Sequence, residues 1–213
     1  MKQKTFSQIV VLWKTDKKQY VKKSSFSAYS LLLENHLLPH FGHQIFIEEA
    51  SIQAFVFVKL EQGLSQKTIK DILIVLKMVL KYGAKNKWIE NHTFDVQFPT
   101  EREKNQLEVL SRSHQKKVMQ HIKEHFTFRN LGVFICLSSG MRIGEVCALT
   151  WEDIDTDNGI IHIRKTIQRI YVIEEDVRKT ELLIDTPKTK NSIREVPMSR
   201  DLLRLLKPVK KIV

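Results

Sequence analysis

The feature that most constrains this sequence is helical periodicity, without strand alternation, across its first 90 residues. Apolar residues recur at three- and four-residue spacing in four segments: 5–18, 24–38, 48–60 and a long one that begins at Ser65. In the last segment the apolar stripe comprises Ile69, Ile72, Leu73, Leu76, Val79 and Leu80. We expect the second helix to end at Pro39, because proline disfavours helical geometry in the residue before it. Four such helices predict a small helical domain.

The stretch from Asn91 to Asn105 separates this helical part from the rest of the chain. It contains Pro99 and a charged run, and its apolar residues show only weak periodicity. A helix capped by Ser111 or Ser113 should follow it, then a second helical pattern. Three later segments favour strands of one small sheet: 159–169, 182–186 and 193–198. We therefore predict two domains, 1–95 and 105–213, in a mainly α chain with a small antiparallel β-sheet.

The chain is basic along its whole length, with a formal net charge of +11. Residues 1–99 hold 14 lysines, no arginine and 8 acidic residues, and the remaining 21 basic residues follow. An excess spread over both domains favours a polyanion that contacts both, although a merely soluble basic protein fits the charge equally well. Since arginine makes the bidentate contact with guanine, the first domain is expected to bind backbone phosphates more than bases.

Composition also bears on compartment and cofactors. No apolar run reaches the roughly 18 residues of a membrane span, and Ile9–Trp13 is too short for a signal peptide. Cys136 and Cys147 lie in apolar helical contexts that favour free thiols, and the eight histidines show no metal-ligand spacing with a third ligand. We expect a cytoplasmic protein with no metal, no small-molecule cofactor and no membrane contact.

The strongest functional signal is the segment 137–155, Leu-Ser-Ser-Gly-Met-Arg-Ile-Gly-Glu-Val-Cys-Ala-Leu-Thr-Trp-Glu-Asp-Ile-Asp. An apolar run ends at the break around Gly140, and Arg142 follows just before an apolar helical turn. A guanidinium is a planar fork that can donate two hydrogen bonds to one phosphate. Glu145 lies three residues further on the same face, where it could orient Arg142 or only cap the turn.

This segment resembles the first arginine box of the tyrosine recombinase (phage integrase) family. A second segment, 186–197 (Thr-Pro-Lys-Thr-Lys-Asn-Ser-Ile-Arg-Glu-Val-Pro), is similar to the β-hairpin that carries the family's catalytic lysine. A third, 24–42, is similar to the second helix of the family's core-binding domain. The resemblance covers the whole chain. It implies a helical, SAM-like core-binding domain followed by the N-terminal part of an α+β catalytic domain.

The resemblance also assigns roles to particular residues. It implies that Arg142 stabilises the charge that develops on a DNA phosphate during strand cleavage, with Glu145 supporting it. It points to Lys188 as the general acid that protonates the leaving 5′ oxygen. Lys190 remains the alternative, because the insertion 164–180 makes the register of this segment less certain.

The family's His-x-x-Arg box and nucleophilic tyrosine are expected beyond residue 213. Tyr29 and Tyr82 lie on apolar helical faces, and Tyr20 and Tyr171 lie outside the family's C-terminal context, so none is a credible nucleophile. The resemblance thus implies a site-specific recombinase or integrase of a mobile element, which self-associates on double-stranded DNA and cuts and rejoins it through a 3′-phosphotyrosine in its complete form.

On this hypothesis the present chain is a fragment that is inactive alone. The alternative is a non-catalytic, truncated DNA-binding protein that competes for recombination sites. Either protein would work in the cytoplasm, on the nucleoid when bound.

Overall fold

The computed structural model describes residues 3–90, 93–100, 108–174, 177–187 and 192–211. The chain divides into two compact units. Unit 1 consists of Met1–Lys104 together with Ile170–Glu181, and unit 2 consists of Asn105–Arg169 together with Leu182–Val213. Each unit has its own cluster of buried apolar residues.

The Met1–Lys104 part of unit 1 is built from helices. In chain order they are α1 (Phe6–Lys17), α2 (Lys23–Leu32), a π-helical turn (Leu33–Leu37), α3 (Leu38–Phe41), α4 (Glu49–Glu61) and α5 (Gln66–Lys85). The Ser65 side chain accepts a hydrogen bond from the backbone N–H of Thr68 at 3.1 Å, which caps α5 at the position that the sequence predicts.

The expectation that the second helix ends at Pro39 is wrong. Helical structure continues from α2 through the π turn into α3 and ends at Phe41. Pro39 lies in the first turn of α3, where a missing N–H does little harm to the hydrogen-bond ladder. A wider turn directly before a proline thus lets the chain keep its helical course.

The core of unit 1 confirms the apolar stripe of α5. All six residues of that stripe are at most 7% exposed, and they pack with apolar residues of α1, the π turn, α3 and α4. Tyr29 and Tyr82 pack against the same core, as their positions in the sequence predict.

Unit 2 combines helices with short strands. Its helices are α6 (Arg112–Glu124), α7 (Phe128–Ser139), α8 (Ile143–Val146) and α9 (Arg200–Lys210), with a 3₁₀ turn at Trp151–Asp153. Its strands are β1 (Ile154–Asp155), β2 (Ile160–Ile163) and β5 (Arg194–Pro197), which form an antiparallel sheet in the order β1-β2-β5. Leu131, Phe134, Ile161, Leu202 and Leu206 are among the residues of its core.

The remaining two strands, β3 (Thr166–Glu174) and β4 (Val177–Asp185), pair with each other in a separate two-stranded sheet. The fold class is confirmed, but the prediction that 182–186 and 193–198 belong to one sheet with 159–169 is only partly right. β5 pairs with β2, whereas β4 pairs with β3, because the segment after Arg164 forms its own ribbon.

The middle of this ribbon belongs to unit 1. The hydroxyl of Ser27 on α2 donates to the backbone oxygen of Tyr171 at 2.6 Å and accepts from the Tyr171 N–H at 3.1 Å. Within the ranges that the structure describes, no helix has both the length and the apolar composition needed to cross a membrane.

Candidate functional site

A fixed turn carries Arg142. Gly140 ends α7 with a φ of +66°, in the left-handed region that favours glycine, and its N–H donates to the carbonyl of Cys136 at 3.0 Å. Met141 is 5% exposed, and its N–H donates to the Ser139 hydroxyl at 3.3 Å. The break that the sequence shows before Arg142 is therefore a glycine-terminated helix end anchored by a buried methionine.

Arg142 combines an anchored backbone with an exposed side chain. It stands directly before α8 in an extended conformation, and its backbone N–H donates to Oε2 of Glu145 at 2.9 Å. Its side chain is 73% exposed, and Nη1 donates to Oε1 of Glu145 at 2.9 Å. The guanidinium is thus held at one nitrogen while most of its surface faces solvent.

Glu145 is the buried centre of this site. Only 3% of its side chain is exposed, and its carboxylate accepts hydrogen bonds from Arg142 and from a second arginine, Arg194. Hydrogen bonds from Arg194, aided by the N–H and guanidinium of Arg142, outweigh the opposing effect of burial and lower the pKa of Glu145 from 4.5 to about 2. The carboxylate therefore stays ionised at any physiological pH.

Arg194 is the residue of this site that the sequence reasoning missed. Its Nη1 and Nη2 donate to Oε1 and Oε2 of Glu145 at 3.0 and 2.9 Å, and Nη1 also donates to the carbonyl of Ser192 at 3.2 Å. The β2–β5 register places it opposite Ile163, and Glu145 raises the pKa of its guanidinium. Arg194 belongs to the segment 186–197, but no local pattern in the sequence predicts a hydrogen-bond partner 49 residues away.

Gly144 lets α8 approach the first residues of β3. A Cβ atom at this position would lie 2.7 Å from Oγ1 of Thr166 and 2.8 Å from the carbonyl oxygen of Ile167. Real Cβ atoms do not come this close to backbone, so glycine is required here. The backbone of α8 therefore lies directly against the start of β3, one residue before Glu145.

The Trp-Glu-Asp-Ile-Asp end of the motif closes the loop after α8. Asp153 is 5% exposed and accepts hydrogen bonds from the backbone N–H and hydroxyl of Thr150 at 3.1 and 2.9 Å. Arg164 pairs with its other oxygen at 3.7 Å. These contacts give the aspartate a structural role in holding the turn.

The two lysines that the sequence predicts for this site are not part of the described structure. Lys188 and Lys190 lie outside the described residues, between the end of β4 at Asp185 and the start of β5 at Arg194. β4 and β5 belong to different sheets, so they are not the two paired arms of one simple hairpin.

The tyrosines and cysteines are the remaining side chains with possible reactivity. All four tyrosines belong to unit 1, whereas Arg142, Glu145 and Arg194 belong to unit 2. Cys136 and Cys147 are free thiols. In the described part of the chain, no three His, Cys, Asp or Glu side chains are grouped so that they could hold a metal ion.

Two family models match this chain. The phage integrase family matches residues 108–213, which include the whole arginine site, and the phage integrase N-terminal SAM-like domain matches residues 5–56. The chain belongs to the phage integrase family. Family membership agrees with the resemblance of the 137–155 segment to the arginine box of tyrosine recombinases.

Curated relatives of this integrase-family chain are longer than it is. A tyrosine recombinase XerC-like protein of Caldanaerobacter subterraneus subsp. tengcongensis is 31% identical over 169 residues, which are 76% of this chain and 42% of the relative. The ICEBs1 integrase of Bacillus subtilis is 27% identical over 69% of this chain and 38% of its own length. The chain therefore spans less than half of these two proteins.

Solved structures support the same fold. The Tn1549 transposon integrase, determined in complex with a circular intermediate DNA, superposes with a TM-score of 0.72 at 21% identity. The match covers 97% of this chain and 65% of that one. The fold of this chain is thus similar to that of the transposon integrase along nearly its whole length.

Proposed function

We propose that this integrase-family chain binds duplex DNA and supplies part of the active site of a site-specific recombinase. The observation that carries the proposal is the contrast between Arg142, whose side chain is 73% exposed, and its anchor Glu145, which is 3% exposed. A cation held by a buried carboxylate and facing solvent is suited to receive a phosphate from outside.

In the complete recombinase, Arg142 would bind the non-bridging oxygens of the scissile phosphate. Cleavage by a tyrosine hydroxyl adds negative charge to those oxygens in the transition state, so a fixed guanidinium there lowers the barrier. Glu145 would hold Arg142, and Lys188 would protonate the leaving 5′ oxygen, with Lys190 as the alternative donor. The product would be a 3′-phosphotyrosine that the reverse reaction rejoins.

A row of lysines on α5 supports DNA binding by unit 1. Five exposed lysines recur at three-, four- and seven-residue spacing along one side of this helix: Lys67, Lys70, Lys77, Lys81 and Lys85. At about 1.5 Å of rise per residue the row extends roughly 27 Å, which is long enough to follow several phosphates of a DNA backbone. We call this row the lysine face of α5.

The lysine face of α5 and the arginine site suggest a role for each of the two domains. Residues 1–95 would form the core DNA-binding domain and residues 105–213 the partial catalytic domain. Copies of the complete protein would associate on DNA, in the cytoplasm and on the nucleoid, as integration or excision requires two DNA ends to meet. The solved Tn1549 integrase structures contain DNA, which supports this assignment of partner.

A second candidate function is supported by the positions of the tyrosines. Tyr29 and Tyr82 pack against the core of unit 1, and Tyr20 and Tyr171 belong to the same unit, whereas the residues of the arginine site belong to unit 2. This chain by itself would then bind recombination sites without cutting them, and would compete with a complete recombinase.

The test is binding of the chain to a short labelled duplex at increasing salt. Affinity should fall steeply, because bound lysines and arginines displace counterions from phosphates. Arg142→Ala should weaken binding and reduce the slope of the salt dependence by about 1, as expected for one lost phosphate contact. Absence of binding at low salt, or a slope near zero, would contradict the proposal.

A further inference from the structure

We propose that Arg194 is a positioning residue that neutralises Glu145 and thereby leaves the positive charge of Arg142 available to a DNA phosphate. The inference deepens, and rests on, the proposed function of Arg142. It concerns a residue that does not itself touch the phosphate.

The geometry around the carboxylate is unequal. Arg194 meets Glu145 with two nitrogens side by side, one on each oxygen, at 3.0 and 2.9 Å. The Arg142 guanidinium uses one nitrogen on one oxygen, at 2.9 Å, and the Arg142 backbone N–H donates to the other oxygen. A side-by-side pair of charge-assisted bonds is stronger than a single one, so Arg194 supplies the main cation of the buried carboxylate.

The charges of these three side chains do not cancel. One carboxylate and two guanidiniums leave one net positive charge, and the more exposed guanidinium is that of Arg142, at 73% against 32% for Arg194. Without Arg194, the cluster would be a neutral Arg142–Glu145 pair. An incoming phosphate would then have to compete with a buried carboxylate for the same guanidinium.

Burial explains why a second arginine is needed. A carboxylate that is 3% exposed is barely solvated by water, so it needs a nearby cation to offset the free-energy cost of its burial. Arg194 meets this demand from β5, whose pairing with β2 fixes its position. Glu145 consequently orients Arg142 through the Arg142 backbone N–H and one guanidinium nitrogen, while Arg194 neutralises the carboxylate charge.

The experiment measures binding of the 213-residue chain to a short labelled duplex at low salt, in a set of charge variants. Arg194→Gln should weaken binding about tenfold, as expected when one charge-assisted contact is lost. Glu145→Gln added to Arg194→Gln should restore most of the affinity, because removing the carboxylate charge makes its neutralisation unnecessary. In an Arg142→Ala background, Arg194→Gln should have little further effect.

These combinations separate charge balance from structural support and from direct contact. The Glu145→Gln/Arg194→Gln double variant lacks the ion pair entirely, so a purely structural role would leave it at least as weak as Arg194→Gln alone. If Arg194 contacted DNA directly, its loss would weaken binding in the Arg142→Ala background too. Either result would overturn the proposal.

A matched control removes the same charge elsewhere in unit 2. Arg129 is exposed on α7, and Arg129→Gln changes the net charge as Arg194→Gln does. Whatever loss Arg129→Gln causes, Glu145→Gln should not reverse it. Reversal of both losses to the same degree would show a general charge effect and would count against Arg194.

A second measurement keeps the two proposals distinguishable. If the wild-type chain does not bind duplex DNA, the proposed function fails. The role of Arg194 is then decided by the Glu145 carboxyl pKa, measured by carbon NMR in the free protein. In Arg194→Gln this pKa should rise from about 2 towards 4.5 or above, because the largest cause of its lowering, the hydrogen bonds from Arg194, is removed while the carboxylate stays buried. An unchanged pKa would overturn the neutralising role.

Discussion

Glu145 and Arg194 lie 49 residues apart in the chain, yet the two terminal nitrogens of the arginine donate to the two carboxylate oxygens at 3.0 and 2.9 Å. The pair joins the short helix that follows Arg142 to the strand that follows the Lys188 segment. The two parts of the chain that resemble integrase active-site motifs are therefore connected through a partly buried ion pair. This connection makes the site sensitive to changes at residues that would not touch DNA.

Acid should remove part of the stability of unit 2. The folded-state pKa of Glu145 is lowered to about 2, so its contribution is fully present above its unfolded pKa of about 4.5 and is lost as pH falls towards 2. The shift corresponds to at most about 3 kcal/mol. Urea unfolding of wild type and Glu145→Gln should therefore differ most at neutral pH, and the difference should shrink below about pH 4.5. A constant difference across this range would contradict the role of the ionised carboxylate.

Two glycines in unit 2 should respond oppositely to alanine. Gly144→Ala should destabilise the unit by about 1–3 kcal/mol, because its Cβ would overlap Thr166 Oγ1 and the Ile167 carbonyl. Gly132→Ala, inside α7, meets only Val146 Cγ1 at 3.8 Å and should stabilise the helix by up to about 1 kcal/mol. Chemical unfolding of both variants checks the pair. Equal changes in unfolding free energy for the two variants would contradict the close contact between α8 and β3.

The lysine face of α5 should contribute to DNA affinity without sequence preference. Lys81→Gln and Lys85→Gln should each weaken binding to any duplex and lower the salt slope by about 1. Lys18→Gln removes the same charge from an exposed position at the end of α1 and serves as the matched control. Binding isotherms at several salt concentrations give both quantities. Equal slopes in all three variants would place the DNA surface of unit 1 elsewhere.

Substrate chemistry should separate the roles of Arg142 and Lys188. The test uses a chimera that appends the C-terminal part of the XerC-like relative to this chain. In it, Arg142→Ala should raise the activation free energy of strand cleavage by about 3–4 kcal/mol. Lys188→Ala should slow it roughly 10²–10⁴-fold. A sulfur in place of the leaving 5′ oxygen needs no proton, so it should rescue Lys188→Ala but not Arg142→Ala. Rescue of Lys190→Ala instead would shift the general acid by two residues.

The 213-residue chain alone should form no covalent complex with DNA. Its four tyrosines lie in unit 1, two of them packed against the core, whereas the arginine site lies in unit 2. A nicked suicide substrate traps any phosphotyrosine, and a denaturing gel reveals it. A stable adduct that disappears in one Tyr→Phe variant would identify a nucleophile among Tyr20, Tyr29, Tyr82 and Tyr171.

Local sequence signals determined the helices well. The stripe of α5 is buried as its spacing predicts, Ser65 caps that helix, and Ser111 rather than Ser113 caps α6 through the N–H of His114 at 3.2 Å. These features depend on residues within one or two turns of each other, so a short stretch of sequence contains the information. The position of Arg142 after a helix break, with Glu145 beside it, is local in the same sense.

Tertiary structure alone decided the partners of residues distant in sequence. Strand pairing put β5 beside β2 and left β4 with β3, and only that choice brought Arg194 to Glu145. It also assigned Ile170–Glu181 to unit 1, where Tyr171 bonds Ser27 across 144 positions of sequence. Alternation of side chains shows that a segment can be a strand but does not specify its neighbour, because the free energy of pairing depends on the whole packed unit. The family and the first arginine were therefore readable in the sequence, while the second arginine, and the charge balance it gives the site, were properties of the folded chain.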